Sequence, residues 1–196
     1  MARSLIRTIK DVPDEVAVVN NSISDLNLEL NRIEKKGLIN IVQNFVPTSS
    51  SFSGTTSRTG VVISPLTTSI TTKADNSKIC YDLTLGFEMH YNTSFFIQRI
   101  VNGIATEIGS HDAASASVRA YGFATPSYDG DVASTLDQKG FKFIDTPNVP
   151  EGTLITYQLR FYGDNHAFYL NRTFGGTNSI NYERCSSCVL LSEYGE

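Results

Sequence analysis

Six apolar residues, Val16, Val19, Ile23, Leu26, Leu30 and Ile33, alternate steps of three and four without a fault, and beyond Gly37 the apolar period drops to two. The first spacing is the a/d rule of a coiled-coil helix, and the second is that of half-buried strands. A chain with this change of period is a helix followed by a β domain.

The helix ends are written in its flanks. Pro13 suits a first helical turn, where no amide donor is missed, and Asp14 and Glu15 suit the positive end of the helix dipole. Lys35 and Lys36 suit the negative end, and Gly37 can take the left-handed conformation that closes it. The sequence therefore predicts one helix over 13–36, about 36 Å long at the helical rise. The heptad phase also runs back through Val12, Ile9 and Leu5. A proline inside a helix removes a backbone hydrogen bond, so residues 1–12 are expected to keep the phase without the helix.

A helix lying on its own domain shows a broad apolar stripe that includes e or g positions. Here those positions hold Glu15, Asn20, Ser22, Asn27, Glu29, Glu34 and Lys36. So narrow a seam predicts pairing between chains, and an isolated helix of this length is only marginally stable in water. Parallel dimers favour β-branched a positions with Leu at d, whereas this seam has Val19 and Ile33 at d and Leu30 at a. That mixture points to a homotrimer.

After Gly37, Leu38–Val46 reads as extended, and the Ser/Thr/Gly-rich stretch 47–60 reads as a long loop or hinge. Ile79, Tyr81, Leu83, Leu85, Phe87, Met89 and Tyr91 alternate with polar or small residues, giving the clearest strand. Asn102-Gly103, between Phe95–Val101 and Ile104–Ile108, is a two-residue hairpin signal because both positions need positive φ. Ile155, Tyr157, Leu159 and Phe161 alternate again, a turn at Gly163-Asp164-Asn165 leads into His166–Asn171, and Val189-Leu190-Leu191 supplies a last strand. Ser110–Ser127 is equally compatible with a short helix at Ala113–Val118 or with a loop entering a strand at Ser117–Phe123. The expected fold is mainly β, an N-terminal coiled-coil helix followed by an antiparallel β-sandwich or jelly-roll-like domain. Its expected parts are an anchoring segment at 1–12, a trimeric coiled coil at 13–37 and a head at 38–196.

Composition removes several function classes. A formal charge of −4 without a Lys/Arg run lacks the electrostatic footprint of a nucleic-acid binder. No apolar run approaches the roughly 18 residues of a membrane span, and no signal-peptide core precedes Asp11. The triplets at Asn20, Asn92 and Asn171 fit the glycosylation pattern, which is used only in a secretory lumen, and are read as chance. Cys80, Cys185 and Cys188 are an odd number, and zinc needs four ligands, so reduced thiols are expected.

Catalytic signatures are thin. The three histidines, His90, His111 and His166, are dispersed, and neither a nucleophile elbow, a P-loop nor an HExxH motif is present. Asp129, Asp131 and Asp137 read as solvated residues around a turn rather than as a glycosidase pair. A non-enzymatic protein without a cofactor or metal is expected. The surface loop carrying Tyr128, Asp129 and Asp131 is the candidate receptor contact, an aromatic face beside hydrogen-bond acceptors suited to a host-surface glycan or protein.

The order of parts resembles small trimeric fibre and attachment proteins of tailed bacteriophages. The run Thr156-Tyr157-Gln158-Leu159-Arg160, Phe168-Tyr169-Leu170-Asn171-Arg172-Thr173, then Val189-Leu190-Leu191-Ser192-Glu193 is similar to the final strands of β domains in virion structural proteins of marine and cyanobacterial phages. The resemblance implies a virion protein, assembled in the host cytoplasm, whose N-terminus docks on a capsid, adaptor or nozzle protein while the heads project outward. A capsid head fibre or decoration protein is the neighbouring possibility, and a carbohydrate-binding module the more distant one. Leu5, Ile6 and Ile9, set among Arg3, Arg7 and Lys10, are the candidate anchor.

Overall fold

A computed structural model of the chain describes residues 2–57, 59–89, 93–108, 123–125, 136–163, 165–175 and 183–195, with side-chain surroundings given for these outside 2–15, 34 and 123–125. Helix α1 spans Ala2–Glu34, so it runs through Pro13 instead of starting there. The unbroken phase from Leu5 to Ile33 accounts for this: the seam is continuous, and one missing backbone hydrogen bond does not end so long a helix. Its C-terminal end is as expected, with Lys36 N–H donating to the Ile33 carbonyl at 3.1 Å and Gly37 at φ +75°.

The strands that follow are β1 (Gly37–Val46), β2 (Ser50–Phe52), β3 (Val61–Val62), β4 (Thr68–Thr71), β5 (Lys78–Met89), β6 (Thr93–Val101), β7 (Ile104–Ile108), β8 (Phe123–Thr125), β9 (Asp137–Asp145), β10 (Leu154–Tyr162), β11 (Phe168–Leu170) and β12 (Ser187–Gly195). All pairings between them are antiparallel. The expected β6–β7 hairpin forms around Asn102 and Gly103, at φ +51° and +77°. Two pieces of the expected reading change. Ser50–Phe52, inside the stretch read as loop, is a strand paired with β11, and Asp137–Asp145 pairs with β5 along nine registered positions. Of the ambiguous stretch Ser110–Ser127, only β8 falls within the described residues, and the helix considered at Ala113–Val118 lies outside them.

Several strands are halves of one longer strand. β12 pairs with residues 78–84 of β5 and β11 with residues 87–89, while β9 holds the other edge, so β11 and β12 run end to end. β1 and β2 do the same beside them, as do β3 and β4 beside β10 and β7 and β8 beside β6. Joining these halves leaves, among the described residues, eight strand positions, ordered 1-8-3-6 in one sheet and 2-7-4-5 in the other. That is the jelly-roll order.

The core lies between the sheets. Ile79, Tyr81, Leu83, Leu85, Phe87 and Met89 of β5 face Ile155, Tyr157, Leu159 and Phe161 of β10, all fully buried. Each such side chain contributes roughly 1.5–3 kcal/mol by leaving water. Phe87, Phe95, Phe161 and Phe168 gather with ring centroids 5.0–5.8 Å apart.

Buried polar groups fix the register. Arg99 of β6 meets Asp145 Oδ1 at 2.7 Å, and the Tyr157 hydroxyl donates to Asp145 Oδ2 at 2.7 Å, so one carboxylate joins both sheets. Glu193, wholly buried on β12, accepts from the backbone amides of Lys73 and Ala74 and from the Ser77 hydroxyl at 2.7, 3.2 and 2.7 Å. Those bonds hold the 72–77 turn against the last strand.

Candidate functional site

The residues with most to gain from a partner are on α1. Periodicity places Val16, Val19, Ile23, Leu26, Leu30 and Ile33 on one stripe, and each is 50–69% exposed. Every residue from Val16 to Ile33 is exposed, so this part of the helix does not lie on the β domain. Val18 and Leu28 are also exposed, at c and f positions away from the seam, and sequence reasoning gave them no role. The polar face is organised locally: Arg32 binds both Glu29 carboxylate oxygens, at 2.7 and 2.6 Å, and this hydrogen bond holds the Glu29 carboxyl below its ordinary value.

The helix exit is packed against the head. Lys35 pairs with Glu151, and the backbone of Gly195 sits so close to Lys35 that a Cβ there would collide with the Lys35 carbonyl oxygen. Only a glycine permits that approach. The link from helix to head is therefore two residues, Lys35 and Lys36, with β1 starting directly after them.

β1 is apolar on both of its faces. Val42 and Val46 point into the sandwich, while Leu38, Ile41 and Phe45 point outward and are 51–59% exposed. Leu190 and Tyr194 of β12 continue this outer face in register, with Gln43 opposite Leu190 and Leu38 opposite Tyr194. Ile144 adds an exposed apolar residue on β9, beside the Lys142–Asp82 ion pair at 2.8 Å. Sequence reasoning missed this face, although a strand carrying branched and aromatic residues on both sides is its signal.

The other expected residues divide as follows. Leu5, Ile6 and Ile9 have their backbone in α1, and their side chains lie outside the described set. Tyr128, Asp129 and Asp131 lie outside the described residues, as do His90, Tyr91 and His111, whereas Asp137 opens β9. Cys80, Cys185 and Cys188 are free and half-buried, and burial pushes the Cys80 and Cys185 thiols up, away from the reactive thiolate. Among the described residues no group of three or more His, Cys, Asp or Glu is placed to hold a metal ion, and no helix is long and apolar enough to cross a membrane. Among the described residues, the exposed stripe of α1 and the outer face of β1 are surfaces suited to association.

No family model matches the sequence, and no curated protein matches it. Among solved structures, the chain is similar to one titled "Structure of infectious bursal disease virus Gt strain", at 15% identity and a TM-score of 0.38, covering 80% of this chain and 38% of that one. It is similar also to the infectious bursal disease virus VP2 subviral particle, at 14% identity and a TM-score of 0.37, with the same coverage of both chains. The chain thus spans about two fifths of the length of these chains, and the strand order of the head rests on its own pairing and not on these overlaps.

Proposed function

We propose that the chain is a non-enzymatic virion structural protein: a short trimeric fibre docked on the particle by its N-terminal segment, with jelly-roll heads outward for host attachment. One observation carries the reading. A helix of 33 residues presents an unbroken heptad seam in which every described apolar side chain faces solvent, a state that an assembled neighbour relieves. The jelly roll supports it by analogy, since that fold serves capsid and lectin domains, although a fold alone does not assign a function.

Three heads on one coil multiply weak contacts with a host surface by avidity. The β-branched d positions Val19 and Ile33, with Leu30 at a, favour three strands over two. Light scattering on the purified full chain tests the assembly: three times the 21.5 kDa chain mass is expected, and a monomer at micromolar concentration overturns the reading. Imaging the intact particle tests the place. Density for residues 1–12 on a tail adaptor or nozzle supports attachment, and density on the capsid transfers the role to a head fibre or decoration protein.

A further inference from the structure

We propose that the outer face of the β1–β12 edge, built from Leu38, Ile41, Phe45, Leu190 and Tyr194, packs against the head of a second copy of this chain, making a second assembly interface below the coil. This inference rests on the trimeric reading of α1 and names what the heads then do.

Geometry supplies the occupant. Packed helix axes lie about 8–10 Å apart, and a two-residue link reaches about 10 Å at most. The start of each β1 therefore lies within about 20 Å of the threefold axis. A head of this length has a radius of gyration of about 15 Å. Three such bodies rooted that close to one axis are within reach of one another.

The surface nearest that root has the composition such a meeting requires. Leu38 directly follows Gly37, where the helix ends, and Ile41 and Phe45 continue outward along the same strand at 54% and 59% exposure. Among the described residues β1 is an edge strand of its sheet, and its Asn40 and Asn44 amides donate to carbonyls of the 65–71 segment, whereas Ile41, Gln43 and Phe45 on the outer face stay exposed. Natural sheets protect edges with charge, proline or cover. This one carries Ile41, Gln43 and Phe45 outward, with no charged residue between Gly37 and Val46, which is suited to cover by a like surface. The packing of Lys35 against Gly195 and its pairing with Glu151 set the head against the helix exit, so the outer face of β1 begins directly where the helix ends.

The test uses the full chain. A photo-crosslinking residue in place of Phe45 is expected to give covalent dimers and trimers on irradiation at concentrations where the protein is trimeric, and Phe45→Glu is expected to weaken trimer association at least ~10-fold by sedimentation while circular dichroism stays that of the native head. Amide exchange of β1 is expected to be slower in native trimer than in the Phe45→Glu protein. A native trimer that yields only monomeric adducts, or whose association and β1 exchange are unchanged by Phe45→Glu, overturns this inference and leaves the coiled-coil reading intact. A native chain that is monomeric overturns both.

Discussion

The side-chain amide of Asn171 donates to the carbonyl oxygen of Val46 at 2.7 Å, tying the end of β11 to the end of β1. The same amide reaches the Thr48 carbonyl at 2.9 Å, and the side-chain oxygen accepts from the Ser187 hydroxyl at 2.6 Å. Asn171 thus sits where both long strands break, β1 from β2 and β11 from β12, and it occupies the left-handed region at φ +59°. One buried side-chain amide satisfies two carbonyls at the break between β1 and β2 and accepts from the hydroxyl at the start of β12.

Replacing Asn171 with Ala removes these bonds and leaves the Val46 and Thr48 carbonyls to lose their partner. A loss of about 2–4 kcal/mol in denaturant unfolding is expected. Asn171→Gly keeps the backbone conformation while losing the bonds, and is expected to fall short of the Ala loss by roughly 1 kcal/mol. Equal losses would show that the conformation contributes nothing.

Gly86 of β5 faces Cys185, and a Cβ at that position would collide with the Cys185 sulfur. Gly86→Ala is expected to cost about 1–3 kcal/mol by overpacking. Adding Cys185→Ala removes the sulfur and is expected to restore most of that loss, a coupling measurable in a double-mutant cycle. Additive losses would place the cost in the strand backbone.

Burial pushes the phenols of Tyr81 and Tyr157 far above their ordinary value of 10.0, and at Tyr157 the Asp145 carboxylate adds to the effect. Both phenols stay protonated in the fold when those of the unfolded chain ionise. Their contribution is whole below about pH 10 and is lost as the pH rises above it, at about 1.4 kcal/mol per pH unit for each group. Urea unfolding between about pH 9 and 11 is expected to show this slope, and Tyr157→Phe to halve it.

On the helix, Ile23→Asp forces carboxylates together in the seam of an assembled coil and is expected to reduce the mass in light scattering to that of one chain. Val18→Asp and Leu28→Asp, at exposed positions off the seam, are expected to leave the mass unchanged. Dissociation by all three would mean that some other face of the helix makes the contact.

The parts legible in the sequence are those whose pattern is local. Val16–Ile33 repeats without a fault, β5 and β10 alternate cleanly because one face of each is wholly buried, and Asn102-Gly103 encodes its own turn. The illegible parts depend on distant partners. Ser50–Phe52 is a strand because β11 offers it a ladder, not because it has strand composition. Asp137–Asp145 places only Phe141 and Phe143 against the core and carries Lys139 and Gly140, so its period is diluted. Glu193 inverts the usual rule for glutamate, because the backbone amides that shelter it lie more than a hundred residues away. The outward face of β1 was obscured for the opposite reason: Ile41 and Phe45 look like core when only composition is considered.

The direct passage from helix into β1 also has a mechanical consequence. Tension drawn along α1, with the head held at its far end, enters at Gly37 and travels down β1 toward Val46. The ladder to β12 runs from Gly37 opposite Gly195 to Val46 opposite Ser187, with its hydrogen bonds across the direction of pull. A load directed along β1 shears this ladder as a whole instead of opening it bond by bond, a geometry that resists separation of the helix from the β domain.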